Sequence, residues 1–192
     1  LCPVSTGTVV LNNFEGARMA MLHLLELGHR KIVHLTGQAE FGDTIARQEG
    51  IVAALAQYGL RTDDIHIVNG EFSQEFGYAA TQELLQEGRD FTAIFTGDDD
   101  MGAGVLLALR EGGRRVPEDV SVMGFDDAFH ARHMWPPLTT VRQPMADLGE
   151  AAATLLLRLL ADPDSGPART IIETNLVVRS SVAAPSRERR VA

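Results

Sequence analysis

Short apolar runs alternate with longer amphipathic segments along most of the chain. The runs TVVL (8–11), KIVHLTG (31–37), DIHIVNG (64–70), FTAIFTG (91–97), VSVMGFD (120–126), LTTVRQP (138–144) and IIETNLVVRSSV (171–182) predict strands. Between them, segments 14–27, 43–59, 74–87, 100–112 and 145–161 predict helices. Segment 14–27 carries the stripe Met19, Leu22 and Leu25 and ends at Gly28, a residue suited to a helix C-cap. Segment 145–161 carries Leu148, Ala152, Leu155, Leu156 and Leu159 and ends at DPDSGP.

Apolar strands alternating with helices predict an α/β fold with a parallel sheet covered on both faces by helices. Ligands of such sheets bind beyond the carboxyl ends of the strands. That rule selects four loops: GQAEFGD (37–43), GEFSQ (70–74), TGDDD (96–100) and GFDDAF (124–129). Together they hold Phe41, Asp43, Phe72, Asp98, Asp99, Asp100, Asp126 and Asp127, with Arg47 one turn into the following helix. Carboxylates, a guanidinium and aromatic rings suit a sugar, because Asp accepts from hydroxyls, Arg donates in a fork and rings cover C–H faces. Each residue also has a purely structural alternative. Asp99 or Asp100 can cap the helix at 100–112, Phe41 and Phe72 can be core rings, and Arg47 can pair with Glu49 or Glu40. The expected division of the triplet gives Asp98 to the ligand and Asp99 and Asp100 to the helix start.

Composition narrows the chemistry. The 192 residues are 45% apolar and 22% charged, ordinary values for a soluble globular chain. A formal charge of −9 argues against gripping a polyanion over a broad face. The tail SRERR (186–190) reads as a solvated end. The chain opens LCPVSTGTVV without a signal-type stretch and has no apolar run of roughly 18 residues, which favours the cytoplasm over a membrane. A single cysteine, Cys2, excludes an intrachain disulfide. Mg²⁺ held by Asp98 to Asp100 with Asp126 lacks an accompanying phosphate cradle, and the six histidines form no HExxH pair. His130 and His133 sit one helical turn apart and read as surface residues. GxSxG is absent, and nothing assembles a nucleophile with a base. The loops read as a binding site, with no cofactor expected and no enzyme activity.

The stretches GHRKIVHLTG (28–37), ARQEGIVAAL (46–55), FTAIFTGDDDMGAGVLLALREGGRRVPEDVSVMGFDD (91–127) and PPLTTVRQPMADLGEAAATLLLRLL (136–160) carry a family resemblance. They resemble the effector-binding core of bacterial transcriptional repressors of the lactose/galactose repressor (LacI/GalR) family, from about residue 9 to about residue 182. The resemblance implies a periplasmic-binding-protein-like fold of two α/β lobes joined by three crossovers, with the effector in the cleft between them. It implies ligand contacts at Phe41, Asp43, Arg47, Phe72, Asp98, Asp126 and Gln143. Arg47 and Gly50 match an R-x-x-G signature, and Asp126 matches G-[FY]-D. Asp98 stands where the family commonly has Asn, so a ligand hydroxyl must donate to it. The family also implies a homodimer, with contacts near Ala103, Leu107, Met134 and Trp135; Leu107 in the core and Trp135 as a loop anchor are the alternatives.

Family members begin with a helix-turn-helix domain, which these residues lack. The resemblance therefore implies a truncated regulator core that would meet operator DNA only through that domain. Segments 1–28 and 143–162 are expected to be a remnant of the N-terminal lobe, 29–142 and 169–182 the C-terminal lobe, and 183–192 a tail. The apolar faces of the first two segments are expected to pack on each other or on a neighbouring molecule. An exported sugar-binding protein serving a transporter has the same fold and is the rival reading. A signal peptide or a helix-turn-helix upstream would separate the two.

Overall fold

The computed structural model describes residues 7–162, 166 and 168–186. Cys2, residues 187–190 of the basic tail and most of the 163–167 piece lie outside the described residues.

Four strands, β2 (Ile32–Thr36), β3 (His66–Asn69), β4 (Ala93–Thr96) and β5 (Ser121–Met123), form a parallel sheet in the order β3-β2-β4-β5. Successive side chains of a strand point to opposite faces. Ile32, Ala93, Phe95 and Met123 accordingly bury against α1 (Asn13–Glu26) and α2 (Gly42–Gln57), in a core with Met21, Leu24, Ile51 and Leu55. Val33, Leu35, Ile94 and Val122 bury on the other face with Ala80 and Leu84 of α3 (Gln74–Gln86) and Val105 and Leu109 of α4 (Asp99–Glu111). The expected α/β architecture holds, and burial on both faces explains the apolar runs Ile32–Val33, Ala93–Phe95 and Val122–Met123.

Glycines set the helix spacing. A Cβ on Gly50 of α2 would lie 2.1 Å from the Phe14 carbonyl oxygen of α1. One on Gly104 of α4 would lie 2.0 Å from the Gln74 carbonyl oxygen of α3. Both helix pairs pack closer than any side chain at those positions permits.

A second, smaller unit consists of β1 (Thr8–Leu11), paired in parallel with β7 (Arg169–Ile172), and α5 (Met145–Ala161) lying against both. Beside the main sheet, β6 (Thr140–Arg142) pairs antiparallel with β8 (Asn175–Val177). The chain passes between the two units at Asn12, at Gln143–Pro144 and at Glu173–Thr174. These passages are tied together: Asn12 Nδ2 donates to Glu173 Oε2 at 2.9 Å, and the Thr174 hydroxyl donates to the Asn12 carbonyl at 3.2 Å.

Three expectations need correction. The strand predicted over 171–182 is two strands in different sheets, because the chain turns at buried Thr174 where it bonds to Asn12. Helix α1, expected in the N-terminal lobe remnant, packs on the main sheet: Ala17, Ala20, Met21, Leu24 and Leu25 share a core with Ile32 and Phe95, so packing shows no boundary at residue 28. The helices α1 and α5 do not take each other as principal neighbours, since α1 lies on α2 and α5 on β1 and β7. No described residue of α5 is fully buried, and Leu156, Leu157 and Leu160 are 58%, 67% and 70% exposed.

Candidate functional site

The chain runs from β2 outward to β3 and then returns to β4 on the other side of β2. Loops leaving β2 and β4 therefore diverge, and a crevice opens at their carboxyl ends. A cavity of about 660 Å³ lies there, lined by Glu40, Phe41, Gly42, Asp43, Arg47, Phe72, Asp98, Asp126 and Gln143. All seven residues predicted to contact ligand line it.

Arg47 is the centre of the arrangement. It lies on the buried face of α2, one turn before Gly50, and is 7% exposed. Its Nε donates to Asn13 Oδ1 at 2.9 Å, its Nη1 donates to the Gly97 carbonyl, and its Nη2 reaches Asp126 Oδ1 at 3.5 Å. The guanidinium carbon sits 3.9 Å above the Phe125 ring centroid. Burial draws its pKa down, opposed by Asp126, Asp43, Asp98 and Asp99, and a guanidinium stays charged under that pull. The surface pairing with Glu49 or Glu40 is not formed.

Phe41 and Phe72 stack with ring centroids 6.4 Å apart and make the apolar wall. Phe41 is 49% exposed, so it is not a core ring. The Phe72 ring closes over Gly37, where a Cβ would approach it to 2.1 Å.

The acidic triplet divides differently from the expectation. Asp98 is the N-cap of α4, its Oδ1 accepting from the Met101 amide at 2.7 Å. A cap needs extended backbone, which Asp98 has at φ −147° and ψ 178°, whereas Asp99 is already helical. Asp98 still lines the cavity. Asp99 is 1% exposed and staples loops together: Oδ1 accepts from the Thr140 hydroxyl at 2.6 Å and Oδ2 from the Ala128 amide at 2.7 Å. Asp100 is exposed, 3.1 Å from His130 Nε2.

Burial dominates the titration of these groups. It raises the Asp98 pKa, lifts Asp99 to about 6 against its two hydrogen bonds, and lifts Asp126 to about 7 against the Arg47 charge. Among the described residues, no three His, Cys, Asp or Glu side chains converge to hold a metal.

Asp126 and Asp127 adopt positive φ, 112° and 57°. Side chains other than Gly reach that region at a cost of order 1–3 kcal/mol, so the surroundings must hold them there. The Asp126 amide donates to the Val141 carbonyl at 2.7 Å, and its carbonyl accepts from the Gln143 amide at 3.1 Å. The Asp127 carboxylate accepts from Arg142 Nε at 2.6 Å and from Arg179. Burial works to raise the Asp127 pKa, but these two arginines outweigh it and hold the group below its usual range. The pair therefore divides its roles, Asp126 facing the cavity and Asp127 anchoring the turn.

Sequence reasoning missed Asn13. Its Oδ1 accepts from Arg47 Nε, its Nδ2 donates to Asp43 Oδ1 at 3.1 Å, and Gln143 Nε2 approaches the same Oδ1 at 3.4 Å. The signal was the Asn–Asn pair before the apolar stripe: Asn12 caps α1 by accepting from the Glu15 amide, which leaves a second asparagine surplus to capping.

The residues expected at a dimer contact lie away from the cavity. Leu107 is 41% and Trp135 88% exposed, so Leu107 is not core; Ala103 and Met134 are half-buried.

Residues 21–182 match the family described as periplasmic binding protein-like domain. The chain is 39% identical over 173 residues to the HTH-type transcriptional regulator CelR of Thermobifida fusca, covering 90% of this chain and 51% of that protein. It superposes with a TM-score of 0.89 and 31% identity on a LacI family transcriptional regulator of Enterococcus faecium with bound ribose, covering 94% of this chain and 66% of that one. A complex of transcriptional regulator CelR with cellobiose superposes with a TM-score of 0.86 and 38% identity, covering 92% of this chain and 54% of that one. The chain spans about half the length of the curated relatives it matches.

Proposed function

The chain belongs to the periplasmic-binding-protein-like family as LacI-family transcriptional regulators carry it, and from that membership we propose that it forms the effector-binding core of a bacterial transcriptional regulator. The effector is a sugar or related polyol, seated on Arg47, Asp126 and Asp98 with the Phe41–Phe72 wall against its C–H face. The observation that carries this reading is the convergence of one buried guanidinium, the Asp98 and Asp126 carboxylates and two stacked rings at the carboxyl ends of the sheet. The relatives solved with ribose and cellobiose support the ligand class. No catalytic step is assigned to these residues.

The site lies beside the passages between the two units: Asn13 follows one passage, Gln143 belongs to another, and both touch the Arg47 network. A ligand there changes the relative stability of unit orientations. Operator DNA would be met through residues outside this chain. Leu107 and Trp135 would belong to a homodimer surface. No helix among the described residues is long and apolar enough to cross a membrane, and the regulator reading places the protein in the cytoplasm.

The test is a thermal-shift screen of the full protein containing this chain against sugars, polyols and nucleosides, repeated with Asp126→Ala. Stabilisation by a polyhydroxy ligand that is lost in the variant supports the reading. Unchanged affinity of the best ligand for Asp126→Ala removes the site assignment. A signal peptide encoded upstream, in place of a helix-turn-helix, would favour the transporter-associated alternative.

A further inference from the structure

We propose that the ligand of this cavity carries a basic nitrogen: an aminated sugar or polyol whose ammonium sits between the carboxylates of Asp98 and Asp126. The proposal rests on the polyhydroxy-ligand reading of the site and adds the ligand's charge. Four carboxylate side chains, Glu40, Asp43, Asp98 and Asp126, line the cavity against one cation, Arg47.

That cation is largely committed elsewhere. Its Nε faces Asn13, its Nη1 faces the Gly97 carbonyl, and its contact with Asp126 is long at 3.5 Å. Asp98 is only 7% exposed, and its Oδ1 is spent on the α4 cap. Among the described residues, no donor reaches its Oδ2. Both carboxyls are shifted toward the protonated form, chiefly by burial; Asp98 adds to the cost of charging Asp126, and Asp100 to that of charging Asp98, against partial relief from Arg47. A buried carboxylate without a full counter-charge is what a bound cation relieves.

An ammonium matches the unmet needs. It has three donors and no acceptor, and its hydrogen bonds to carboxylates are roughly twice as strong as neutral ones. The half-exposed face of Phe41, stacked on Phe72, offers a cation an attractive π surface. A neutral hydroxyl supplies a donor but no charge. A phosphate or carboxylate on the sugar would add to the repulsion among the four acids.

The test is titration calorimetry at neutral pH on the full protein containing this chain, using matched probes. Glucosamine is compared with glucose and N-acetylglucosamine, and galactosamine with galactose and N-acetylgalactosamine. The expected result is at least a tenfold preference for a free amine over both its parent and its N-acetyl derivative. Asp98→Asn keeps an N-cap residue of equal quality and should cut that preference by tenfold or more, while a purely structural role for Asp98 would leave the ratio unmoved. Equal or tighter binding of the neutral sugars, or of glucose 6-phosphate, overturns the proposal and leaves the polyhydroxy reading standing. If no sugar of either kind binds, both fall together.

Discussion

Arg47 and Asn13 grip each other across the starts of two helices, with Arg47 Nε 2.9 Å from Asn13 Oδ1. Asn13 is the first residue of α1 after the passage from the smaller unit, and Arg47 is the cation of the cavity. The contact therefore links the passage to the site. Asn13→Ala would strip buried Arg47 Nε of a partner, a loss costing about 1–3 kcal/mol, while exposed Asp43 would turn to water. The expected outcome is a ligand affinity at least tenfold weaker by calorimetry. An unchanged affinity would show that Arg47 holds its pose without Asn13.

Arg47→Lys keeps the charge but not the fork. A lysine cannot serve Asn13, the Gly97 carbonyl and Asp126 together, because it lacks the planar five-donor geometry. Affinity for the best polyhydroxy ligand should fall by two orders of magnitude or more, about 3 kcal/mol. A lysine variant that binds as well as the parent would demote Arg47 to a source of charge alone.

Asp99 makes stability depend on pH. Its folded pKa of about 6 lies above the ordinary 3.8, so the folded state keeps this proton longer than the unfolded chain does. The unfolded state binds fewer protons at this group between those values, so the Asp99 contribution to stability falls as pH rises from about 4 to about 6, then levels. Asp99→Asn removes that loss. Relative to the parent, the variant's melting temperature should climb across this window, by the equivalent of at most about 3 kcal/mol. Parallel melting curves for the two proteins from pH 4 to 8 would contradict the assignment.

Gly50→Ala pits propensity against packing. Alanine favours a helix interior by about 1 kcal/mol over glycine. Here the new Cβ would stand 2.1 Å from the Phe14 carbonyl oxygen, a backbone atom that cannot rotate away. Overpacking of this kind costs typically 1–3 kcal/mol or more, so the net effect should be destabilising. Gly104→Ala, which meets the Gln74 carbonyl at 2.0 Å, should behave alike in chemical denaturation. A stabilised variant at either position would mean that the helix pair separates freely.

Trp135 and Leu107 test the homodimer. Both are exposed, so replacing them in an isolated chain should change stability by less than about 0.5 kcal/mol. If they form the contact between copies, Trp135→Ala with Leu107→Glu should shift the full protein toward monomer in sedimentation. A dimer unaffected by both changes places the contact elsewhere.

The division of labour between sequence and structure is clearest at residues 98 to 100. Strand–helix alternation, together with the rule that parallel sheets bind ligands at their carboxyl ends, selected the four loops and brought Phe41, Asp43, Arg47, Phe72, Asp98 and Asp126 to one cavity. Those features repeat along the chain with short periods, so composition and spacing carry them. Which carboxylate caps α4 depended on backbone angles at a single residue, and sequence reasoning placed the cap one or two positions late. The staple from Asp99 to Thr140 and Ala128, and the hub at Asn13, join residues 29 to 130 positions apart. The division of 171–182 into strands of two sheets, and the place of α1 on the main sheet, likewise turn on long-range partners. Periodic burial is a local property that a chain writes into its own order. The partner of a buried polar group is chosen by whatever the fold brings beside it, and that only the tertiary structure decides.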